Sequence, residues 1–432
     1  MNSPNPGEKS KEEKMKVVKV TLLAVLAALV AVGVSTTAYA FHSGGVAECE
    51  GCHSMHSPVS TTFLLVGGTQ SSTCLTCHDG PTLSSYHVST TGAITQAAMP
   101  ANMTPGGDFA WLKRTYTDGS YNEPGQTHGH NIVATDFGYS ADDNNTVAPG
   151  GSFVSANLAC NSCHDPHGKY RRLQSGAIAT SGAAIKASGS YDNVSANEPT
   201  TTEAVGAYRL LAGNGYRNSV SGVIGYAGVP AAKVPGTYNR TEAVTQTRVA
   251  YGVSTAAGHT TWSNWCATCH PGMHSTGNTV HPVDRGLGST IAGLYNQYVK
   301  SGDMGGTIAN SFSSLAPFAS NTGDYTALAA LAKNDGSALA GPGSGDQVMC
   351  LSCHRAHASG FVEMLRFDQG YEFTTKGGQY IGSDNPEVTG SRANVQRRGR
   401  NNAEWQRAYY ERPASTFATY QRVLCNKCHA QD

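Results

Sequence analysis

The stretch Cys49 to His56, CEGCHSMH, decides how this chain is built. Two cysteines enclose two residues, a histidine follows directly, and a second histidine lies three positions further on. The Cys-x-x-Cys-His pattern occurs six times and uses all 12 cysteines of the chain. This pattern is the attachment signal for a c-type haem, in which two thiols form thioethers and the adjacent histidine becomes an axial ligand of the iron. The sequence therefore predicts six covalently bound haem c groups.

The predicted haem-binding residues fall into two sets. The covalent cysteines are Cys49, Cys52, Cys74, Cys77, Cys160, Cys163, Cys266, Cys269, Cys350, Cys353, Cys425 and Cys428. The proximal histidines, one for each motif, are His53, His78, His164, His270, His354 and His429. Small disulfides or zinc sites also use Cys-x-x-Cys pairs, but neither explains a histidine after every pair.

The N-terminus predicts export. An apolar run, TLLAVLAALVAVGV at 21–34, follows several lysines and precedes a small-residue cleavage site that ends at Ala40. These features are typical of a signal peptide over residues 1–40, with Met15 as an alternative start; an uncleaved anchor is the other reading. We expect no membrane span in the cleaved chain 41–432. With 30 basic and 30 acidic residues the chain has no net charge, which argues against nucleic-acid binding.

The composition predicts a multihaem cytochrome fold of mostly irregular loops with a few short helices wrapped around a chain of haems, and little strand. The chain contains 50 glycines and few periodic segments. Helices are predicted over 289–302, 324–336, 402–412 and 417–429, with a weak strand signal at 219–229. We expect the haems themselves to take the place of a continuous protein core.

The six motifs contain a repeat of two. The first, third and fifth motifs carry a second histidine three residues after the proximal one, as in CEGCHSMH, CNSCHDPH and CLSCHRAH. The second and sixth motifs lack it, and the fourth has another spacing. The single hexahaem domain is therefore interpreted as three haem-pair units of about 41–125, 126–275 and 276–432.

Ten histidines remain as candidate distal ligands, which is enough for bis-histidine ligation of every haem. A histidine three residues after the proximal one projects from the same side, so it cannot bind the opposite face of its own haem. His56, His167 and His357 are therefore assigned to other haems. The upstream histidines of the three units complete the predicted distal set: His42, His130 and His281. His87 and His274 are held in reserve, whereas His128 and His259 are interpreted as bystanders.

The three offset histidines predict an assembly. If each serves a haem of the preceding unit, His167 reaches unit one and His357 reaches unit two. His56 then has no preceding unit in its own chain and must bind a haem of a neighbouring subunit, which leaves the haem at His354 open in the last unit. Such a head-to-tail contact is heterologous and builds a filament.

Several stretches resemble the outer-surface hexahaem c-type cytochromes of metal-reducing bacteria. They are FHSGGVAECEGCH, CNSCHDPHGKYRR, TYNRTEA, TQTRVAYG, TIAGLYNQY, CLSCHRAHASG and LCNKCHA. The resemblance runs from Phe41 to the C-terminus, and it implies a conducting nanowire of bis-histidine haems stacked in alternating parallel and T-shaped pairs. It also implies that His56 ligates the haem held by His354 in the next subunit. The chain departs from the family in its first 14 residues, at His128 and His259, and around 180–205 and 305–345.

The expected function is extracellular electron transfer along a homopolymer, with other redox cytochromes as partners and metal oxides or partner cells as acceptors. We expect no catalytic residue, because six-coordinate haems leave no site on iron for a substrate. A multihaem reductase would need an open haem, and a monomeric shuttle would need His56 to bind within its own chain. Two further groups of side chains have predicted positions near the haems. Lys169, Arg171 and Arg172 are expected at haem propionates or on a solvated patch, and Trp262 and Trp265 against a haem.

Overall fold

The structure is a computed structural model, and it describes residues 49–80, 87–167, 184–186, 203–205, 208–213, 215–218, 220–235, 242, 247–253, 260–274 and 281–429. All structural statements below concern these residues. Several predictions lie outside them: the signal peptide, His42, His259, and the basic residues 169, 171 and 172. Among the described helices, none is long and apolar enough to cross a membrane.

Ten α-helices are short and separated by loops. They are α1 Cys49–Cys52, α2 Gln70–His78, α3 Cys160–Cys163, α4 Trp262–Ala267, α5 Gly288–Gln297, α6 Tyr325–Leu331, α7 Cys350–Cys353, α8 Ala393–Arg397, α9 Asn402–Ala408 and α10 Asn426–His429. Single 3-10 turns lie at Phe109–Lys113, Gly125–His128, Thr135–Phe137, Ser155–Asn157, Tyr208–Leu210, Pro271–Met273, Ile308–Asn310, Val362–Met364 and Ala414–Thr416. This is the loop-dominated architecture that the composition predicts.

The strands are two or three residues long. They are β1 Asp79–Gly80, β2 Ser89–Thr90, β3 Tyr116–Asp118, β4 Tyr121–Glu123, β5 Ala184–Lys186, β6 Glu203–Val205, β7 Arg217–Asn218, β8 Gly222–Val223, β9 Ala232–Lys233, β10 Ala250–Gly252, β11 Ala319–Ser320, β12 Thr375–Lys376 and β13 Gln379–Tyr380. Five sheets are two-stranded ribbons, and the sixth has the order β11-β10-β9. The weak strand signal at 219–229 corresponds only to β8, which pairs with β7.

The first, third and fifth haem motifs form single helical turns that end at the second cysteine, before the proximal histidine. In α3, Ser162 Oγ accepts from the Ala159 N–H at 3.1 Å, and the His164 N–H closes the turn on the Cys160 carbonyl at 3.0 Å. His164 itself is extended, with φ −110° and ψ 139°. Because α7 repeats this arrangement through Ser352 and His354, the two cysteines lie on one turn and the histidine begins a separate segment.

Three of the four predicted helices are present in shorter form, and the fourth is mostly wrong. The α6 helix starts after Asp324, whose carboxylate accepts from the N–H groups of the first turn, as an N-cap should. The segment 417–429 is helical only from Asn426. Upstream of that point, the Gln421 carbonyl accepts from the Thr374 N–H at 2.7 Å, so this backbone pairs with another segment instead of with itself.

The expectation that haems replace a protein core is too strong for the C-terminal third. One apolar cluster unites fifteen buried residues, most of them from this third, such as Phe361, Trp405 and Tyr409, together with Trp111 from earlier in the chain. The Phe361 and Tyr409 rings meet edge to face, with centres 5.0 Å apart. Aromatic side chains bury large apolar areas, so this part of the chain has a core built from its own side chains.

Candidate haem sites

The first, third and fifth motifs share a supporting turn that sequence analysis missed. The residues involved are Phe63-Leu64-Leu65, Arg209-Leu210-Leu211 and Glu363-Met364-Leu365. In each, the final leucine forms an isolated antiparallel bridge with the proximal histidine of the motif. The residue before that leucine has a left-handed backbone, with φ of 53°, 54° and 50° in chain order. The only sequence signal is a pair of large apolar residues downstream, at a separation too variable to recognise.

This turn hydrogen-bonds the proximal histidines. Nδ1 of His53 donates to the Phe63 carbonyl at 2.9 Å, and Nδ1 of His164 donates to the Arg209 carbonyl at 2.8 Å. The same bond joins His354 to the Glu363 carbonyl at 2.7 Å. Metal-binding histidines characteristically donate their second ring nitrogen to a carbonyl, which fixes the tautomer and directs the free nitrogen at the metal. The turn therefore orients Nε2 for ligation.

Four proximal histidines face a second histidine across a gap. The ring centres are 6.1 Å apart for His53 and His167, 6.4 Å for His164 and His357, 6.1 Å for His270 and His130, and 6.1 Å for His429 and His281. Two metal–nitrogen bonds of about 2 Å, with roughly 1.2 Å from each nitrogen to its ring centre, would separate the centres by about 6.4 Å. The four ring-centre distances therefore match those of two histidines that bind one metal ion from opposite sides.

Burial favours the neutral, ligating form of two of these distal candidates. Desolvation lowers the pKa of His130 to about 4, and it lowers the pKa of His357 to about 3. Neutral imidazole is the form that binds a metal. Nδ1 of His130 also donates to the Ala356 carbonyl at 2.7 Å, so its Nε2 remains available.

The cysteine thiols place the six motifs in chain order. Burial and a thiol of the next motif raise the pKa of one cysteine in each of the first five motifs, in the pairs Cys52 and Cys77, Cys74 and Cys160, Cys163 and Cys269, Cys266 and Cys350, and Cys353 and Cys425. Two of these contacts share a further bond. Ser71 Oγ accepts from the Cys160 N–H, and Ser263 Oγ accepts from the Cys350 N–H, each at 3.3 Å. The motifs therefore form one continuous row.

The chain is similar to known proteins in both sequence and structure. The curated C-type cytochrome OmcS of Geobacter sulfurreducens is 51% identical over 450 residues, which cover 96% of this chain and all of OmcS. The chain belongs to the OmcS family of c-type cytochromes. No family model matches the sequence.

Solved structures agree with this assignment to the OmcS family. The cryo-EM structure of OmcS nanowires from Geobacter sulfurreducens is 49% identical, with a TM-score of 0.76. A second structure, of the outer membrane cytochrome S filament of the same organism, has the same identity and a TM-score of 0.77. Each alignment covers 91% of this chain and 100% of the other. The fold is thus OmcS-like, and this OmcS-family chain is an electron-transfer cytochrome with covalently bound haem c.

His56 and His354 belong to the predicted ligand set, but each lacks a facing histidine among the described residues; His42, the predicted ligand opposite His78, lies outside these residues. Neither His56 nor His354 has a ring partner within the part of the chain that the structure describes. His56 is exposed, and apolar side chains lie exposed beside it: Met55 is 80% exposed and Val59 is 67% exposed. His56 is the offset histidine of the first unit, and His354 is the first of the two proximal histidines of the last unit.

The remaining histidines differ in how their ring nitrogens are used. Nδ1 of His128 donates to the Trp111 carbonyl at 3.1 Å, and Nε2 lies 2.8 Å from Glu123 Oε1, which leaves no free nitrogen for iron. Nε2 of His274 lies 2.8 Å from Asp284 Oδ2. Nε2 of His87, by contrast, is buried and has no hydrogen-bond partner among the described residues.

A buried ion cluster supports the fifth motif of this OmcS-family chain. Arg366 donates through Nε to the Leu351 carbonyl at 2.6 Å and to the His354 carbonyl at 3.1 Å. Glu242 accepts from Arg366 at 3.1 Å and from Arg355 at 2.9 Å, and all three side chains are almost fully buried. Burial raises the pKa of Glu242, but the arginine charges outweigh it and hold the pKa below its usual range. The cluster fixes the motif backbone, and Glu242 compensates one of its two arginine charges.

The two tryptophans before the fourth motif pack on protein. Trp262 donates to the Ala231 carbonyl at 3.1 Å and meets the Tyr251 ring edge to face. Trp265 stacks on Tyr226, with ring centres 4.9 Å apart. Their contact with a haem stays a prediction.

Proposed function

We propose that this chain is the subunit of an extracellular filament that conducts electrons through six bis-histidine haems, and that it is not an enzyme. The offset-histidine pattern carries the proposal. His167 faces His53 of the preceding odd motif, and His357 faces His164 in the same way. Extending this pattern by one step places His56 opposite His354 of another subunit, because His56 is the remaining offset histidine and His354 is the remaining proximal histidine of the odd motifs.

The ligand set supports electron transfer rather than substrate chemistry. The four facing pairs are His53 with His167, His164 with His357, His270 with His130, and His429 with His281. Each pair would bind one haem iron from the two faces of the haem ring. Bis-histidine haem supplies one-electron chemistry at low potential. His42 is proposed opposite His78, with His87 as the reserve. The chain then has to space, insulate and orient six haems.

Exposed apolar side chains beside His56 support the proposal that the surface around His56 is buried against a second subunit. Met55 and Val59, at 80% and 67% exposure, accompany Leu64 at 41%. Apolar side chains around an exposed ligand favour association. We propose export through the periplasm to the cell surface, self-association head to tail, and exchange of electrons with other redox cytochromes and with acceptors such as metal oxides or partner cells.

The test is the His56→Ala variant, compared with His274→Ala as the matched control. We expect His56→Ala to remain short or monomeric by negative-stain microscopy and light scattering, and to carry one haem that has lost a ligand. His274→Ala should polymerise normally. Normal filaments from His56→Ala would refute the proposed junction. A monomeric wild-type chain with six fully ligated haems would instead favour a diffusing shuttle.

A further inference from the structure

The four residues from His354 to His357 contact the ligand sets of three haems in succession. His354 is the proximal histidine of the fifth motif. Two residues later the Ala356 carbonyl accepts from Nδ1 of His130 at 2.7 Å, and His130 faces His270 of the fourth motif. His357 faces His164 of the third motif. One tetrapeptide thus links the fifth, fourth and third motifs.

Backbone bonds hold the tetrapeptide and the His130 segment together. The His130 N–H donates to the His357 carbonyl at 2.9 Å, while the His357 N–H donates to the Gly106 carbonyl at 2.7 Å. His130 is therefore bound to the tetrapeptide through both its main chain and its ring. The position of this distal candidate depends on the odd motif of the following unit.

The first and third motifs have the same His-x-x-His arrangement, beginning at their proximal histidine. In all three the offset histidine is the fourth residue, and His167 faces His53 as His357 faces His164. By this repeat Met55 occupies the place of Ala356. His281 occupies the place of His130, because each precedes the odd motif of its unit and faces the histidine of the even motif.

We propose that the Met55 carbonyl accepts a hydrogen bond from Nδ1 of the partner subunit's His281. This inference rests on the proposed filament and adds a second contact to its junction. The His281 ring is exposed, and no described residue of its own chain hydrogen-bonds it. Met55 is exposed as well. Residues 53–56 of one subunit then contact two haems of its partner. His56 binds the haem of the fifth motif, and the Met55 carbonyl positions the distal ligand of the haem of the sixth motif.

The bond has a chemical consequence. A carbonyl that accepts from Nδ1 fixes the ring orientation and makes Nε2 a stronger donor to the metal, and loss of such a partner typically weakens metal binding about 10–100-fold. Stronger donation favours ferric iron. The haem between His281 and His429 should therefore have a lower potential inside a filament than in a free subunit.

The experiment replaces His281 by Nδ1-methylhistidine, which keeps Nε2 but cannot donate from Nδ1. Potentiometric titration of the holoprotein is done on filaments and on dissociated subunits. We expect the potential of one haem in six to rise in filaments by about 59 mV, a tenfold change in its one-electron equilibrium, and not to change in free subunits. The same replacement at His130 is the matched control, and it should shift one haem in both states because Ala356 belongs to the same chain.

A second readout covers the case in which the His281 variant does not polymerise. In a map of wild-type filaments, the Met55 oxygen should lie within about 3.2 Å of Nδ1 of the partner subunit's His281. A separation beyond hydrogen-bond reach, or a potential shift in free subunits, would overturn this inference while leaving the filament intact. Absence of filaments from the wild-type chain would overturn the proposed function instead.

Discussion

Replacement of His357 by alanine isolates one ligand of one haem. The His357 ring faces His164 with centres 6.4 Å apart, and it stacks on Phe109 with centres 4.6 Å apart. Alanine removes the imidazole while the backbone bonds of residue 357 can remain. If the ring gap holds an iron, one haem of the six becomes five-coordinate, and roughly one sixth of the haem absorbance should change from low-spin to high-spin.

The expected loss of stability is small beside the spectroscopic change. An aromatic stack of this kind contributes about 0.5–1.5 kcal/mol, so the variant should still fold and mature with six covalent haems. Electron paramagnetic resonance and magnetic circular dichroism count the high-spin fraction. Added imidazole should enter the vacated space and restore the low-spin signal. This rescue separates a missing ligand from general unfolding.

His274→Ala is the control, because Nε2 of His274 is paired with Asp284 at 2.8 Å and the ring faces no proximal histidine among the described residues. We expect it to leave every haem low-spin. If His357→Ala remained wholly low-spin, or if His274→Ala opened a haem, the interpretation of the ring gaps as ligand pairs would be wrong.

Three further predictions follow from buried groups and from the repeat. Glu123→Gln should destabilise the chain by about 3–5 kcal/mol in thermal unfolding, because it leaves buried arginines uncompensated. Burial raises the pKa of Glu123, but Arg400 and other partners lower that pKa further, so that it lies below its usual range. The contribution of Glu123 to stability is therefore present above the ordinary glutamate pKa and is lost as the pH falls below that value. An unchanged acid transition would contradict this. His42→Ala should produce one high-spin haem and His87→Ala should produce none, because the repeat assigns His42 as the distal ligand of the second motif. A high-spin haem in His87→Ala and none in His42→Ala would make His87 that ligand instead. Ser263→Ala should cost about 0.5–1.5 kcal/mol in denaturant unfolding by removing the hydrogen bond to the half-buried Cys350 N–H, and wild-type stability would argue against that bond.

Local chemistry made part of this molecule predictable. The Cys-x-x-Cys-His motifs are contiguous in sequence, and so is the histidine three residues beyond each odd motif, although the structure has His164 and His354 in an extended backbone and not on the helical turn that the prediction assumed. The Asp324 cap was predictable for the same reason, because a carboxylate bonds N–H groups only two and three residues away. The spacing was used only to assign His167 and His357 to haems other than their own, whereas their assignment to the preceding unit was an additional hypothesis and stays a prediction.

Long-range packing was not predictable from the chain alone. The bond from His130 to Ala356 joins residues 226 positions apart. The Glu242 cluster likewise depends on arginines more than 100 positions away. The predicted helix at 417–425 is absent because Gln421 pairs with Thr374. In each case the partner is selected by the tertiary fold, and local sequence preferences do not contain that information.

Electron cryo-microscopy of the native protein, sheared from cells, determines whether the row of motifs continues from one subunit to the next. We expect a filament in which six haems per subunit follow the chain order and His56 binds the iron opposite the partner subunit's His354. Compact monomers in which His56 and His354 both complete haems of their own chain would contradict the conducting filament.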